Sequence, residues 1–307
     1  MRAVVFAYQE IGYVCLEELL GAGTDVACLF THEDDPGEEL WFRRPVELAR
    51  EYDIPVYMPE SLTDKRWTTI IRDIRPDIVF SFYYRKMIPN AILEIPRIGA
   101  FNLHGSLLPQ YRGRCPVNWV LIAGESRTGV TLHCMVEKPD AGDIVSQKEV
   151  PITFEDNVFS VYMKLVGAAR ELMQDILPHF EAGTFTRTAQ TGPSSYFGGR
   201  KPEDGLIDWA KDSLSIYNLT RAVTHPYPGA FTYFEGKRLF VWKAYPENVS
   251  PRNVPAGTVI SEHPLLVRTG SGSLRLISVQ LEGEKEIEAV ELVSSYVLKN
   301  KILGGHP

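Results

Sequence analysis

The sequence predicts an α/β protein in which a mainly parallel sheet with helices on both faces precedes a small barrel of antiparallel strands. In the first half of the chain, apolar strand-like runs alternate with helical patterns. After residue 184 the stretch TGPSSYFGGRKPEDG is rich in Gly, Pro and Ser, as linkers are, and short strands dominate beyond it. We therefore predict a first domain over residues 1–190, a linker over 191–204 and a second domain over 205–307.

Six strands are predicted in the first domain, namely RAVVFAY, VACLFTH, IPVYM, DIVFSFYY, AFNLH and GVTLHCMV. Helical patterns lie around residues 14–20, 45–49 and 64–74. The unbroken apolar character of DIVFSF is typical of a strand that is buried on both faces, as in parallel sheets.

The clearest helix runs from Asn157 to about Leu177, because its apolar residues recur at spacings of three and four. Pro178 and Gly183 are predicted to end it. In the second domain we predict one helix, SLSIYNLTRAV, and a hairpin, FTYFEGKRLFVWKA, with Gly236 in its turn. The strands GTVIS, LLVRT and SLRLISVQ follow.

Charge and composition disfavour several classes of protein. The formal net charge of -7 argues against a nucleic-acid partner, because phosphate binding requires basic surfaces. The cysteines and histidines lack metal-ligand spacing, so no metal is expected, and the four cysteines are predicted to be buried and reduced. The N-terminus is predicted to be a strand rather than a signal peptide, and no apolar run is long enough for membrane insertion. We expect a soluble, cytoplasmic protein.

Polar residues stand at the end of one predicted strand, in FNLHGSLLPQYRGRCPVNW. Asn102 and His104 are two residues apart, so they point to the same face of the strand. Ligands bind beyond the carboxyl ends of strands in open parallel sheets. An amide can donate to an oxygen that gains negative charge, and an imidazole can accept a proton, which suits attack on an acyl or formyl carbon. Asp140, in KPDAGD, is the candidate third group, which would orient His104 and raise its pKa.

An Asn-x-His pair alone is a weak signal, and a histidine with a purely structural role is the more common case. The SLLPQYRG loop is more distinctive. No G-x-G-x-x-G follows the first strand, where FAYQEIGYV stands, so dinucleotide binding loses its main support.

The stretches FNLHGSLLPQYRGRCPVNW and TGVTLHCMVEKPDAGDIV closely resemble the formyltransferases that use 10-formyltetrahydrofolate. The resemblance spans essentially the whole chain. It implies a Rossmann-like catalytic domain and an OB-like small barrel. It also implies that Asn102 stabilises the tetrahedral intermediate, His104 handles the proton and Asp140 raises the pKa of His104. By the same resemblance, the residues that contact the co-substrate 10-formyltetrahydrofolate are Lys86, Met87, Ile88, Arg114, Val136, Glu137, Lys138, Pro139 and Asp140.

The family divides by acceptor, which is a purine precursor, methionyl-tRNA or a nucleotide-linked amino sugar. Purine-pathway members resemble only the first domain. Members that act on tRNA carry a long basic loop after the second strand, whereas the matching stretch here is acidic and would repel a phosphate backbone. Its acidic residues are Glu33, Asp34, Asp35, Glu38 and Glu39, which precede Arg43 and Arg44. A solvated acidic loop without a role in specificity is the alternative interpretation.

The segments SFYYRKMI, SYFGGRKPEDGLIDW and RAVTHPYPGAFTY resemble the formyltransferase half of the bifunctional enzymes that modify UDP-4-amino-4-deoxy-L-arabinose for lipid A and polymyxin resistance. A decarboxylase follows in those enzymes, and whether one follows here is left open. The alternatives are another UDP-, dTDP- or GDP-amino sugar, methionyl-tRNA, or hydrolysis of formyltetrahydrofolate.

Asn118, Arg200 and Lys201 are the candidates for holding the nucleotide, because amide and cationic groups suit phosphate and base. The oligomeric state, a homo-oligomer included, is also left open.

Overall fold

A computed structural model of the protein describes residues 1–34, 37, 40–249 and 253–304. The chain forms two compact units, each with its own sheet. The first comprises residues 1–116, 127–151 and 162–198, and the second comprises residues 117–126, 152–161 and 199–307. The predicted fold class is confirmed, since a parallel-rich sheet and a separate antiparallel sheet follow each other along the chain.

The sheet of the first unit has the strand order β3-β2-β1-β4-β5-β7-β8. The strands are β1 (Arg2–Ala7), β2 (Asp25–Phe30), β3 (Val56–Tyr57), β4 (Ile78–Phe82), β5 (Gly99–His104), β7 (Arg127–Cys134) and β8 (Ile144–Pro151). Pairing is parallel from β3 to β5 and antiparallel from β5 to β8. A separate small ribbon pairs β6 (Arg112–Gly113) with β9 (Tyr196–Phe197).

Helices connect these strands: α1 (Gln9–Gly21), α2 (Pro45–Glu51), α3 (Lys65–Ile74), α4 (Asn90–Leu93), α5 (Pro116–Ile122) and α6 (Val158–Ala182). On one face of the sheet, Ile71 of α3 and Ile92 of α4 join the apolar core with residues of β1, β2 and β4. Elsewhere in the core, Phe180 of α6 packs against Phe80 and Phe101, with ring centroids 5.6 and 4.9 Å apart. This packing explains why every residue of β4 is buried.

Helix α6 is longer than the sequence predicts, because Pro178 lies inside it rather than at its end. A proline lacks the backbone N–H of an interior helical residue, yet the helix continues for another turn. It ends at Ala182, where Gly183 adopts the left-handed conformation with φ of 66°. Of the two predicted stop signals, only the glycine ends the helix.

The second unit contains α7 (Ser213–Val223), as predicted, and α8 (Ala289–Ser295). Its strands are β10 (Ala230–Phe234), β11 (Lys237–Glu247), β12 (Val259–Glu262), β13 (Leu265–Arg268), β14 (Ser273–Leu281) and β15 (Glu286–Glu288). They pair antiparallel in the order β10-β11-β14-β13-β12, with β15 on β14. Glu235 and Gly236 form the predicted hairpin turn, both with positive φ. Closure of this sheet into an OB-like barrel stays a prediction.

Residues 191–198 lie in the first unit, where β9 pairs with β6, and the predicted domain and linker limits stay a prediction. The cysteines are free thiols, but only Cys15 and Cys28 are buried, whereas Cys115 and Cys134 are half-buried near loops. Among the residues that the structure describes, no helix has the length and apolar character needed to cross a membrane.

Candidate active site

Strand β5 positions the two polar residues of the Asn-x-His pair. It lies between β4, its parallel neighbour, and β7, its antiparallel neighbour. In the register with β7, Asn102 stands opposite His133, and His104 stands opposite Thr131. Asn102 is half-buried, whereas His104 is only 6% exposed. The pair therefore lies near the carboxyl end of a central strand.

The structure brings Asp140 to these residues from the turn between β7 and β8. Its Oδ1 lies 3.6 Å from Nδ1 of His104 and 3.5 Å from Nε2 of His133. Its Oδ2 accepts a hydrogen bond of 2.8 Å from the backbone N–H of Gly113. One carboxylate oxygen is thus held by backbone while the other faces two imidazoles.

Gln190 holds the turn that carries Asp140. Its amide nitrogen donates to the carbonyl oxygens of Asp140 at 2.8 Å and of Gly142 at 2.7 Å. Its amide oxygen accepts from the guanidinium of Arg112, with the shorter distance 2.6 Å. Sequence reasoning missed Gln190, because nothing in the stretch TRTAQTG marks it as a partner of a turn 50 residues earlier.

The protonation state of His104 follows from its neighbours. Its Nε2 lies 2.8 Å from the carbonyl oxygen of Tyr111, which can only accept, so Nε2 carries the hydrogen. In the neutral ring the lone pair is then on Nδ1, facing Asp140. Burial lowers the pKa of His104 and outweighs the opposite effects of Asp140 and the Tyr111 carbonyl. The predicted effect of Asp140, which raises this pKa, is therefore present but smaller than the effect of burial.

Asp140 remains charged in this setting. Burial alone raises its pKa, but the imidazoles of His104 and His133 and the N–H of Gly113 outweigh burial and lower the pKa to about 2. At neutral pH the pair is therefore a carboxylate beside a neutral imidazole. This combination allows His104 to accept a proton at Nδ1 and Asp140 to stabilise the resulting cation.

The contacts of Ser106 and Gly105 explain why the SLLP loop contains a serine and follows a glycine. Ser106 Oγ donates to the carbonyl oxygens of Gln110 at 2.7 Å and Tyr111 at 3.3 Å, so it holds the carbonyl that contacts His104. At Gly105 any β-carbon would overlap the hydroxyl of Tyr83. A serine and a glycine are thus required by the turn itself.

His133 is the second functional candidate that sequence reasoning missed. Its ring is buried, and its Nε2 lies 3.1 Å from Nδ2 of Asn102. Its Nδ1 lies 2.9 Å from the carbonyl oxygen of Cys134. The sequence places His133 on a strand, but only the pairing of β7 with β5 shows that it faces Asn102. Across the described ranges, His133 and its neighbours form no cluster suited to a metal ion.

A family model described as Formyl transferase matches residues 4–177, and one described as Formyl transferase, C-terminal domain, matches residues 200–297. The chain belongs to the formyl transferase family. Both parts of the family's architecture are present.

Solved structures share the fold of the chain. HypX from Aquifex aeolicus, in complex with tetrahydrofolic acid, is 18% identical with a TM-score of 0.65, over 96% of this chain and 47% of that one. An N-formyltransferase from Helicobacter canadensis is 20% identical with a TM-score of 0.68, and the match covers 89% of this chain and 98% of that one. The methionyl-tRNA formyltransferase from Clostridium thermocellum is 17% identical with a TM-score of 0.55, and the match covers 81% of this chain and 94% of that one. The chain spans about half the length of the HypX chains it matches.

The first group of predicted folate contacts follows β4. Lys86 donates from Nζ to the carbonyl oxygen of Pro59 at 2.6 Å. Met87 is 66% exposed, whereas Ile88 is buried in the apolar core. The three neighbours therefore differ in environment, and their contacts with folate stay a prediction.

The remaining predicted folate contacts lie in two loops. Arg114 is exposed, and its backbone N–H donates to the carbonyl oxygen of Phe197 at 2.9 Å. Val136, Glu137 and Lys138 are exposed in the segment that leads through Pro139 to Asp140. These side chains are open to solvent, and their role stays a prediction.

The predicted nucleotide-binding residues belong to the second unit. Asn118 is only 3% exposed, and its amide donates to the carbonyl oxygen of Ala222 at 2.7 Å. The guanidinium of Arg200 lies 4.9 Å from the ring centre of Trp119, and Lys201 is exposed. Asn118 is thus engaged within the protein rather than open to solvent. The binding role of all three residues remains a prediction.

The two arginines that follow the acidic stretch are paired with carboxylates of that stretch and of helices α1 and α2. Arg44 pairs with Asp34 at 2.9 Å and also with Glu47. The backbone N–H and Nε of Arg43 donate to Glu10, both at 2.8 Å. Glu33 is exposed. Asp35, Glu38 and Glu39, which the sequence prediction also invoked, lie outside the described residues.

Proposed function

We propose that this formyltransferase moves a formyl group from 10-formyltetrahydrofolate to the amine of a nucleotide-linked amino sugar. The observation that carries the proposal is the approach of a neutral His104 to a charged Asp140, next to the amide of Asn102 on the same strand. The acceptor is inferred from related folds. The Helicobacter canadensis enzyme was solved with folinic acid and dTDP-3-aminofucose, and WlaRD, a sugar 3N-formyl transferase, with dTDP and 5-N-formyl-THF.

In the proposed reaction, the amine of the acceptor attacks the formyl carbon. Asn102 donates from Nδ2 to the formyl oxygen as that oxygen gains negative charge, which is typically worth about 3–4 kcal/mol in the transition state. His104 accepts at Nδ1 the proton that the attacking amine loses, and Asp140 stabilises the imidazolium. The proton then passes to the departing folate nitrogen as its bond to the formyl carbon breaks. The new amide keeps the formyl carbon and oxygen.

UDP-4-amino-4-deoxy-L-arabinose is the first acceptor to test, because the chain segments resemble enzymes that formylate this sugar. We propose the residues at 86–88, 114 and 136–140 for folate, and Asn118, Arg200 and Lys201 for the nucleotide. The domain limits of 1–190 and 205–307 belong to the same proposal.

The test is a panel of UDP-, dTDP- and GDP-linked amino sugars with 10-formyltetrahydrofolate, read by mass spectrometry as the gain of one formyl group. We expect His104→Ala to lower kcat by a factor on the order of 10²–10⁴. His179→Ala is the matched control, because His179 is exposed on α6 and its Nδ1 contacts the nearby Thr184 hydroxyl. Unchanged turnover in His104→Ala would refute the proposed chemistry.

Methionyl-tRNA is the second acceptor to include, since the fold is shared with a methionyl-tRNA formyltransferase. The internal pairing of Arg43 and Arg44 speaks against it, because these charges are already neutralised. Binding to charged initiator tRNA that weakens steeply with salt would support this acceptor instead. Release of formate at full rate without any amine would indicate hydrolysis.

A further inference from the structure

His133 contacts the residue that would hold the formyl oxygen. It lies on β7 directly opposite Asn102, and its side chain is 2% exposed. Its Nε2 is 3.1 Å from Asn102 Nδ2 and 3.5 Å from Asp140 Oδ1, and its Nδ1 is 2.9 Å from the carbonyl oxygen of Cys134. The first and the last of these distances are those of hydrogen bonds, whereas the distance to Asp140 is longer.

These distances assign the tautomer of His133. A carbonyl oxygen only accepts, so Nδ1 must carry the hydrogen that is donated to Cys134. Nε2 of the neutral ring then has a lone pair, and the Asn102 amide lies 3.1 Å from it, closer than Asp140 Oδ1 at 3.5 Å. The amide of Asn102 must therefore present Nδ2, and not Oδ1, to His133.

We propose that His133 is a positioning residue that fixes the orientation of the Asn102 amide. It binds one N–H of Nδ2 and leaves the other N–H for the formyl oxygen. A rotation of the amide by half a turn would set Oδ1 against the lone pair of Nε2 and would remove the donor from the formyl oxygen. The strand pairing thus selects the catalytically useful orientation before any substrate binds. This inference rests on the proposed function of Asn102.

Two variants at position 133 separate this role from a packing role. In His133→Gln the side-chain amide reaches roughly the place of Nε2 and can still accept from Asn102, whereas His133→Phe keeps the ring shape but accepts nothing. We expect His133→Phe to lower kcat by a factor of about 10–100, with KM for both substrates within about threefold, because the donor acts mainly in the transition state. We expect His133→Gln to stay within about fivefold of the wild type.

A double-mutant cycle with Asn102→Ala shows which partner His133 acts through. If it acts through Asn102, His133→Phe should change kcat by less than about threefold once the amide is gone. A loss of full size in the Asn102→Ala background, an effect confined to KM, or a Gln variant as impaired as the Phe variant would each overturn the proposal. Thermal unfolding of all variants identifies those that fold.

A measurement on the wild-type protein tests the tautomer without any turnover. Nitrogen-15 NMR of the histidine rings distinguishes a protonated from an unprotonated ring nitrogen, and His133→Gln assigns the signals. We expect Nδ1 of His133 to be protonated and Nε2 unprotonated, and the reverse assignment would overturn the proposal. If the wild type transfers no formyl group to any amine, the proposed function fails, whereas this tautomer is still measured.

Discussion

The backbone N–H of Gly113 binds Oδ2 of Asp140 at 2.8 Å, so that Oδ1 is the carboxylate oxygen turned toward the imidazole of His104. Gly113 has φ of 96°, and a β-carbon there would overlap the carbonyl oxygen of Phe197. The glycine therefore permits the close approach of β6 to β9, and the same peptide then orients the carboxylate.

Asp140→Asn tests the charge at this position with little change of shape. Without the carboxylate, the cation formed on His104 loses its stabilising partner, so we expect kcat to fall by a factor on the order of 10²–10⁴. Formyl transfer at saturating substrates measures the effect. Asp143→Asn is the control, because Asp143 is an exposed carboxylate in the same turn. Activity within a few-fold of the wild type in Asp140→Asn would contradict the role of the charge.

The pH dependence of kcat should reflect the burial of His104. Burial lowers its pKa below the ordinary histidine value of about 6.5, and only the neutral ring has the lone pair on Nδ1 that accepts a proton. Activity should therefore persist as the pH falls through about 6.5 and decline only at lower pH. A profile of kcat against pH measures this acid limb. An acid limb at or above the ordinary histidine value would contradict a neutral buried His104.

His32 should make the stability of the protein depend on pH. Its Nε2 accepts from the backbone N–H of Arg85 at 2.9 Å, and burial, with smaller contributions from Lys86 and Arg85, lowers its pKa to about 4. The unfolded chain binds a proton at this residue below about pH 6.5, and the folded chain only near pH 4. The free energy of unfolding should therefore decrease as the pH falls between these values.

Urea unfolding at several pH values measures the slope of the free energy of unfolding against pH. His32→Gln should make it shallower, because the glutamine can accept from Arg85 but does not titrate. His179→Gln is the control, since His179 is exposed. An equal slope in the wild type and in His32→Gln would show that His32 has the same pKa in the folded and the unfolded chain, contrary to the prediction.

Gly105→Ala should destabilise the protein through a clash with Tyr83. A β-carbon at position 105 would overlap the Tyr83 hydroxyl, and overpacking of this kind typically costs about 1–3 kcal/mol. The added change Tyr83→Phe removes the overlapping oxygen and should restore most of the loss in urea unfolding. Gly167→Ala is the control, because nothing lies within 4 Å of a β-carbon at this position in α6. There we expect a gain of about 0.5–1 kcal/mol. No recovery in the double variant would refute the clash.

Local patterns predicted much of the fold, because strand runs, helical spacing and turn residues act within short segments. The spacing of Asn102 and His104 on one strand face is of this kind. His133 could not be recognised, because its partner is set by the antiparallel pairing of β7 with β5, which the sequence does not state. Asp140 raises the pKa of His104, as predicted, but the net lowering could not be predicted, since the depth of burial depends on the whole packed unit. Pro178 shows that a helix-breaking residue can be overruled by packing, here that of Phe180 on the sheet.

The hydrogen bonds of Gln190 determine where the chain can be truncated to give a catalytic fragment. The matched Formyl transferase region ends at residue 177, so a fragment cut there would retain Asn102, His104 and Asp140. It would nevertheless lack Gln190, which holds the carbonyl of Asp140, and β9, which pairs with the strand that contains Gly113. A recombinant catalytic fragment that preserves these bonds must therefore extend to Phe197. Low activity in a shorter fragment would reflect a loosened Asp140 rather than a missing catalytic residue.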